Sequence, residues 1–327
     1  MPSVISKIKH IAELGASYAL KLRRPMNPPY QFSIEATNRC NFKCQFCPQS
    51  NPKHKDIRPV GELTLENFQC FVKKVKEAGG SNRNLSICLD GEPLMNKAFP
   101  ELIKITRQEG FFPRFSSNGR LLTPDMIERL APYGFLASVD FSSDAEVFET
   151  IRGRKGDFEI ILENLRYLVD KASKEPGVRV EIIDITHFSQ GDAEASLKKM
   201  RGLFPEKIPP SVKFWSREFH NFGGHLDLQK QKTGYKLCPY PWTSFTATWD
   251  GNVVACCRDT EAKTILGNVF EQSVLEIWRG KPYQEMREHL AAKHPERVRA
   301  CVKCDMPWSR GSKRWGIGYA VSSLLRR

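Results

Sequence analysis

Three cysteines, Cys40, Cys44 and Cys47, fall in the stretch RCNFKCQFCPQS at residues 39–50, separated by three residues and then by two. Five more, Cys238, Cys256, Cys257, Cys301 and Cys304, lie toward the C-terminus. The first residues, MPSVISKIKHIAELGASYALKLRR, have neither a continuous apolar core nor a small-residue cleavage site, so export is not expected. In a reducing compartment such dense thiols read as metal ligands or catalysts rather than disulfide partners. A zinc site would join the C-x2-C of Cys44 and Cys47 to that of Cys301 and Cys304. It explains four thiols and leaves Cys40, Cys238 and Cys256 without a role. Alternatively, three thiolates from one loop hold three irons of a [4Fe–4S] cube and leave the fourth iron open to another ligand. Cys70, in a helical run, and Cys88, in a strand-like run, are expected to be small buried hydrophobes.

These thiols sit in a chain of 327 residues, enough for one large domain with an appendage or for two domains. Hydrophobic residues make up 40% and charged residues 27%, as in ordinary globular proteins. No apolar run reaches the roughly 18 residues that would span a bilayer, and a cytoplasmic location is expected. The net charge is +13, but residues 1–25 and 310–327 together supply +9 of it. A nucleic-acid groove needs its charge spread along a face with stacking aromatics, so no nucleic-acid partner is expected. Charged ends suit an anionic surface better. Val4, Ile8, Ile11, Leu14, Tyr18 and Leu22 recur at helical spacing in the N-terminal stretch. Either this helix packs its apolar side on the body and shows its charges to water, or it rests as a basic amphipathic helix on the inner face of a membrane. In the second case the C-terminal Tyr319, Val321, Leu324 and Leu325, ahead of Arg326 and Arg327, would lie beside it, and the substrate would be lipid-linked or part of a charged glycan.

The elements that must position the thiols follow from periodicity. Residues 31–36, 83–89, 111–117, 134–141, 178–185 and 211–215 are short apolar or β-branched runs bounded by turn residues, and read as strands. Helical patterns cover 64–79, 97–109, 124–131, 157–174 and 192–203, with Thr123-Pro124 as a cap and first helical residue. This alternation predicts an α/β fold of parallel strands joined by crossovers, with ligands at the C-terminal ends of strands. The cysteine loop follows the first strand, where that rule puts a site. Beyond residue 216 the pattern changes. Gly223-Gly224 and HLDLQKQKTGYK read as a linker, FTATWDGNVVACC as a hairpin around Asp250-Gly251, and 271–279 and 282–293 as helices.

The C-x3-C-x2-C loop, with Phe46 before its last cysteine, resembles that of radical S-adenosylmethionine (radical SAM) enzymes. In that family the open iron is chelated by SAM, and one electron from the cluster cleaves SAM to methionine and a 5′-deoxyadenosyl radical. The rest of the chain matches in order. DGEP at residues 90–93 resembles the family's GGEP motif, with Gly91 and Glu92 toward the SAM ammonium; Asp90 in place of Gly is expected to loosen the motif slightly. SSNG brings Asn118, SVDFS brings Ser138 and Asp140, and IRG brings Arg152, each to a SAM-contact place, Arg152 toward the carboxylate. The C-terminal order CPYPW, DGNVVACC, GNV, IW, CVKC resembles the SPASM/twitch extension in its shorter, single-cluster form. The resemblance implies that Cys40, Cys44 and Cys47 hold the SAM-binding [4Fe–4S] cluster. It also implies that Cys238, Cys256, Cys301 and Cys304 hold one auxiliary [4Fe–4S] cluster. Cys257 could replace Cys256; neighbours on a strand face opposite ways, so only one should reach the cluster.

The implied architecture is a partial (β/α)6 TIM-like barrel at residues 31–220 and a small α+β SPASM/twitch domain at 221–310. A basic N-terminal helix (1–30) and a basic tail (311–327) flank them. The implied activity is hydrogen abstraction from a carbohydrate-like small molecule, ending in dehydrogenation or in epimerisation with the iron-free thiol, Cys257, as hydrogen donor. The reductant would be a flavodoxin or ferredoxin. Peptide-modifying relatives often carry a sizeable N-terminal recognition domain, for which some 30 residues are too few. Two alternatives remain: a peptide-modifying maturase, and a zinc-binding or non-catalytic iron–sulfur module.

Overall fold

The alternating run FLASVDF forms a strand whose side chains alternate between buried and half-buried, and the runs QFSI and FPRFSS alternate as well. The computed structural model describes residues 4–186, 192–216, 220–226 and 234–308. Its strands are β1 (Gln31–Ile34), β2 (Asn84–Ser86), β3 (Phe112–Ser117), β4 (Phe135–Phe141), β5 (Val178–Asp184), β6 (Val212–Ser216), β7 (Ser244–Ala247), β8 (Asn252–Val254) and β9 (Ile265–Asn268). Two compact units result. One gathers residues 1–34, 66–84 and 220–327, the other 35–65 and 85–219.

In the unit of residues 35–65 and 85–219, strands follow the order β6-β5-β4-β3-β2, and the pairs β3–β4, β4–β5 and β5–β6 are parallel. Parallel pairs need long crossovers, and helices supply them. The helix Phe158–Lys174 buries Ile161, Leu162, Leu165, Leu168 and Val169, a stripe at 3.6-residue spacing. The helix Pro124–Leu130 starts as its sequence predicts: Thr123 Oγ1 accepts from the Met126 amide at 3.3 Å, and proline takes the first turn, where its missing N–H costs nothing. The helix Ala145–Arg152, capped by Asp144, has no counterpart in the sequence reading, which took IRG as a motif alone.

In the other unit, β1 lies parallel to β7 with Gln31 opposite Ser244, β8 pairs antiparallel with β7, and β9 antiparallel with β8. The expected hairpin closes at Gly251, whose φ of +86° is the left-handed conformation that such a turn needs. Strand β9 is an addition to the sequence reading. The helix Val274–Trp278 begins with a reciprocal cap: Ser273 Oγ accepts from the Glu276 amide at 3.2 Å, and Glu276 accepts from the Ser273 amide at 2.8 Å. Arg287 is fully buried between the rings of Trp278 and Tyr283 and donates to the carbonyls of Pro241, Arg23 and Trp278. Burial pulls its guanidinium down to about 9.

Three expectations need correction. Gly223-Gly224 is not a loose linker, because both glycines have positive φ and press on backbone: a Cβ at Gly223 would lie 2.9 Å from the Arg258 carbonyl oxygen, and one at Gly224 2.3 Å from Lys303 Cβ. Cys70 and Cys88 are half-buried rather than buried, and Cys88 lies past the end of β2. The N-terminal helix, Val4–Ala19, packs through His10, Leu14, Ser17 and Tyr18, while Ile8 is 62% exposed and Leu22 lies beyond its end. The anticipated C-terminal tail, and most of the polar stretch after Gly224, lie outside the described residues. No helix among the described residues is long and apolar enough to cross a membrane.

Candidate active site and cysteine centres

Residues 36–50 form the cysteine loop, and neighbouring backbone holds it from both sides. Thr37 Oγ1 donates to the Gly61 carbonyl at 2.6 Å, Asn38 Nδ2 to Pro59 at 2.8 Å, and Gln49 Nε2 back to the Asn38 carbonyl at 3.0 Å. The Cys47 amide donates to the Cys44 carbonyl at 2.9 Å, which curls the last two thiols into one turn. Cys44 is buried in this loop, and Cys40 and Cys47 are half-buried. Burial pushes the Cys40 thiol up to about 12 and Cys47 higher, with the neighbouring thiols adding to both. Such thiols resist ionisation in water but become thiolates on binding iron. Donors already face them: the Phe42 amide points at Cys40 Sγ at 3.4 Å, and Arg152 Nη1 at Cys44 Sγ at 3.4 Å. Among the described residues no three His, Cys, Asp or Glu side chains converge on a single metal ion. The donor set suits a cluster, which spreads its ligands over several irons.

Arg152 reaches this place because Ala145–Arg152 ends at Gly153 in the left-handed conformation, close against the loop: a Cβ there would lie 2.8 Å from the Lys43 carbonyl oxygen. The guanidinium is 4% exposed, also donates to the Asp140 carbonyl, and stands 5.9 Å from the Phe46 ring and 5.7 Å from that of Phe148. Its Nε is buried with no hydrogen-bond partner among the described residues. A buried donor of this kind costs stability unless a ligand acceptor meets it, which fits a carboxylate-bearing cofactor.

Glu92 is 2% exposed, and its carboxylate is engaged by protein donors: the Leu94 amide at 3.3 Å, Ser117 Oγ at 2.9 Å and the Asn118 amide at 2.7 Å. It joins the end of β3 to the turn after β2. Burial raises it to about 7, against the pull of those donors and of Arg152. Gly91, at φ +68°, lets that turn touch the loop, and the Glu92 amide donates to the Arg39 carbonyl at 2.7 Å. Asn118 Nδ2 donates to Asn41 Oδ1 at 2.7 Å, and Ser138 Oγ to Glu181 at 2.9 Å.

Asp90 does the opposite of loosening its motif. It is 5% exposed, its carboxylate sits 2.7 Å from His54 Nε2 and 3.4 Å from Arg58 Nη2, and its amide donates to Glu35. Arg58 in turn grips Glu35 with two nitrogens, at 2.7 and 2.5 Å. Two buried acids thus share the Arg58 guanidinium, and His54 adds a hydrogen bond to Asp90, so neither carboxylate lacks a partner. The sequence reading missed Glu35, His54 and Arg58. The only signal was a substituted glycine, whose new charge had to find a partner.

In the other unit, Cys238, Cys256, Cys257, Cys301 and Cys304 lie near enough for their charges to be felt by one another. Burial lifts Cys238 to about 12 and Cys256 well above the usual thiol range, and Cys256 also responds to Cys257, Cys238, Cys304 and Cys301. The Cys304 amide donates to the Cys301 carbonyl at 3.2 Å, and the Ala300 amide to Thr264 Oγ1 at 3.0 Å, which ties this turn to the loop after Cys256. Cys257, by contrast, is exposed.

The family model of the Radical SAM superfamily matches residues 34–200, and that of the iron–sulfur cluster-binding SPASM domain residues 238–305. The chain belongs to the Radical SAM superfamily. It is a SAM-dependent enzyme with the family's α/β fold, an unclosed parallel sheet of the partial-barrel type; its cofactors are a [4Fe–4S] cluster, SAM and auxiliary iron–sulfur in the SPASM domain. It is 22% identical to the S-adenosyl-L-methionine-dependent 2-deoxy-scyllo-inosamine dehydrogenase of Niallia circulans, over 83% of this chain and 91% of that one. It is 24% identical to the PqqA peptide cyclase of Granulibacter bethesdensis, over 86% and 82%. Among solved structures, BtrN in complex with AdoMet and 2-DOIA superposes with a TM-score of 0.58 at 20% identity, over 85% of this chain and 93% of that one. SuiB of Streptococcus suis superposes with a TM-score of 0.59 at 15% identity, over 86% and 71%.

Proposed function

We propose that this enzyme dehydrogenates a carbohydrate-like small molecule of the aminocyclitol or sugar class, with Cys40, Cys44 and Cys47 holding the SAM-binding cluster. Cys238, Cys256, Cys301 and Cys304 hold one auxiliary cluster. The observation that carries the reading is one neighbourhood of C-terminal thiols in a chain that aligns with nearly the full length of a SAM-dependent inosamine dehydrogenase. When bound, SAM and its cluster supply a carbon-centred radical that removes one hydrogen atom from substrate. A carbinol carbon so treated would become a carbonyl by losing one further electron and its hydroxyl proton, the proton passing to water; the auxiliary cluster, held by its four cysteines, would supply the electron acceptor. The protein's own residues hold the cofactor for this. Arg152 Nε takes the SAM carboxylate, and Phe46, Gly91, Asn118, Ser138 and Asp140 line the rest. Glu92 and the backbone of its turn lie toward the SAM ammonium. A flavodoxin or ferredoxin is the reductant.

Cys257 supports a second reading. Its exposure beside the half-buried Cys256 suits a hydrogen donor for epimerisation. The two outcomes separate by product. Anaerobic incubation with SAM, dithionite and a panel of aminocyclitols and sugars in D2O should release 5′-deoxyadenosine and give a ketone without deuterium at carbon. One solvent deuterium at an inverted carbon, lost in Cys257→Ala, would replace dehydrogenation by epimerisation. Turnover of peptides alone would overturn both.

Membrane contact rests on the N-terminal helix. Ile5 is 78% exposed, Ile8 62% and Leu20 68%, next to exposed Lys7 and Lys9. Such a face suits an anionic membrane surface.

A further inference from the structure

Arg258 has no part in the chemistry so far, yet it is placed against the auxiliary cysteines with unusual completeness. Its side chain is 12% exposed, and Nη1 donates to Asp305 Oδ1 at 3.2 Å. The Arg258 amide points at Cys256 Sγ at 3.4 Å, and the guanidinium's partner Asp305 directly follows Cys304 in the chain. The residue cannot drift: its carbonyl is packed on Gly223, where even a Cβ would come within 2.9 Å. Asp305 is fixed as well, for its Oδ2 accepts from the Asn221 amide at 3.0 Å and its own amide donates to Asn221 Oδ1 at 3.2 Å. A cation and an anion, both largely shielded from water, therefore stand beside two of the four thiols. In the other unit Arg152 Nη1 points at Cys44 Sγ.

Adding an electron to a cluster adds one negative charge. A cation held close to the ligand sulfurs, with a backbone amide on one of them, stabilises that charge, and the effect is strong where water does not screen it. Groups outside the ligand set tune a metal centre in this way. We propose that Arg258 is a positioning residue that raises the reduction potential of the auxiliary cluster, and that Asp305 holds the guanidinium in place while partly cancelling its charge. The enzyme would thereby bias this cluster toward accepting the electron of the dehydrogenation. The inference rests on the reading that Cys238, Cys256, Cys301 and Cys304 bind one cluster.

The test uses the full chain with Cys40, Cys44 and Cys47 replaced by Ala, so that only the auxiliary cluster is loaded. Arg258→Gln, Arg258→Lys and Asp305→Asn are made in this background and reconstituted anaerobically. Iron is counted, and the cluster's midpoint is read by an electron paramagnetic resonance titration. Arg258→Gln should reduce the reduced-to-oxidised ratio at fixed poise at least tenfold, a midpoint about 59 mV lower for one electron. Asp305→Asn should shift it the other way, and Arg258→Lys should keep most of the parent value. Unchanged midpoints, or shifts of the same sign from Arg258→Gln and Asp305→Asn, would overturn the proposal while leaving the cluster assignment intact. If Arg258→Gln fails to load iron, the Lys and Asn variants decide by the same criteria. A parent protein without about four irons would overturn the ligand assignment itself, and this proposal with it.

Discussion

Replacing Gly91 by Ala tests how the turn after β2 is fitted to the cysteine loop. An added Cβ would lie 2.5 Å from the carbonyl oxygens of both Thr37 and Arg39 and 2.9 Å from the Asn38 carbonyl carbon. All three are main-chain atoms, so no side-chain rotation relieves the contact. The φ of +68° adds a left-handed cost of roughly 1–2 kcal/mol for a residue with a Cβ. Overpacking against fixed atoms adds about 1–3 kcal/mol. Moving the Arg39 carbonyl stretches its bond from the Glu92 amide, worth about 1 kcal/mol. The sum is about 3–6 kcal/mol, a large part of the roughly 5–15 kcal/mol that stabilises a domain. Gly156 supplies the control within the same unit: its φ is +79° and nothing lies within 4 Å of an added Cβ, so Gly156→Ala should cost only the backbone term. Urea unfolding of both variants, matched in iron content, measures the difference. Because Arg39 adjoins Cys40, Gly91→Ala should also weaken SAM binding more than Gly156→Ala does. Equal midpoints and equal SAM affinity in the two variants would refute the steric argument.

Replacing Cys40, Cys44 and Cys47 together by Ala should halve an iron content of about eight per chain and abolish SAM cleavage, as read by iron assay and release of 5′-deoxyadenosine. Glu92 should make stability depend on pH. Its folded value of about 7 lies above its ordinary value of 4.5, so the folded state holds a proton that the unfolded chain has lost, and stability falls as pH rises between the two. The shift corresponds to about 3 kcal/mol, and unfolding of wild type and Glu92→Gln from pH 5 to 8 should converge or cross by about that much; parallel curves would refute it. Sedimentation with anionic liposomes should show binding at low salt that is lost at high salt and on deletion of residues 1–25, at about 1 kcal/mol per basic residue near the surface.

Much of the site was legible in the sequence because it is written in short spacings. Cys40, Cys44 and Cys47 lie within one loop, the 3.6- and 2-residue periods mark the helices and strands around it, and Asp250-Gly251 marks the hairpin. These signals depend on residues a few positions apart, whose geometry the local backbone fixes. The folded chain alone decided the long-range partners. Asp90 meets His54 and Arg58 across more than thirty residues, and β1 finds β7 across more than two hundred. It also turned Gly223 and Gly224 from an expected linker into a brace, and left Cys257 exposed beside a half-buried Cys256. A sequence states that a charge, a glycine or a thiol is present. Which partner satisfies it depends on burial, because only where water is excluded does an unpaired charge or an added methyl group become costly.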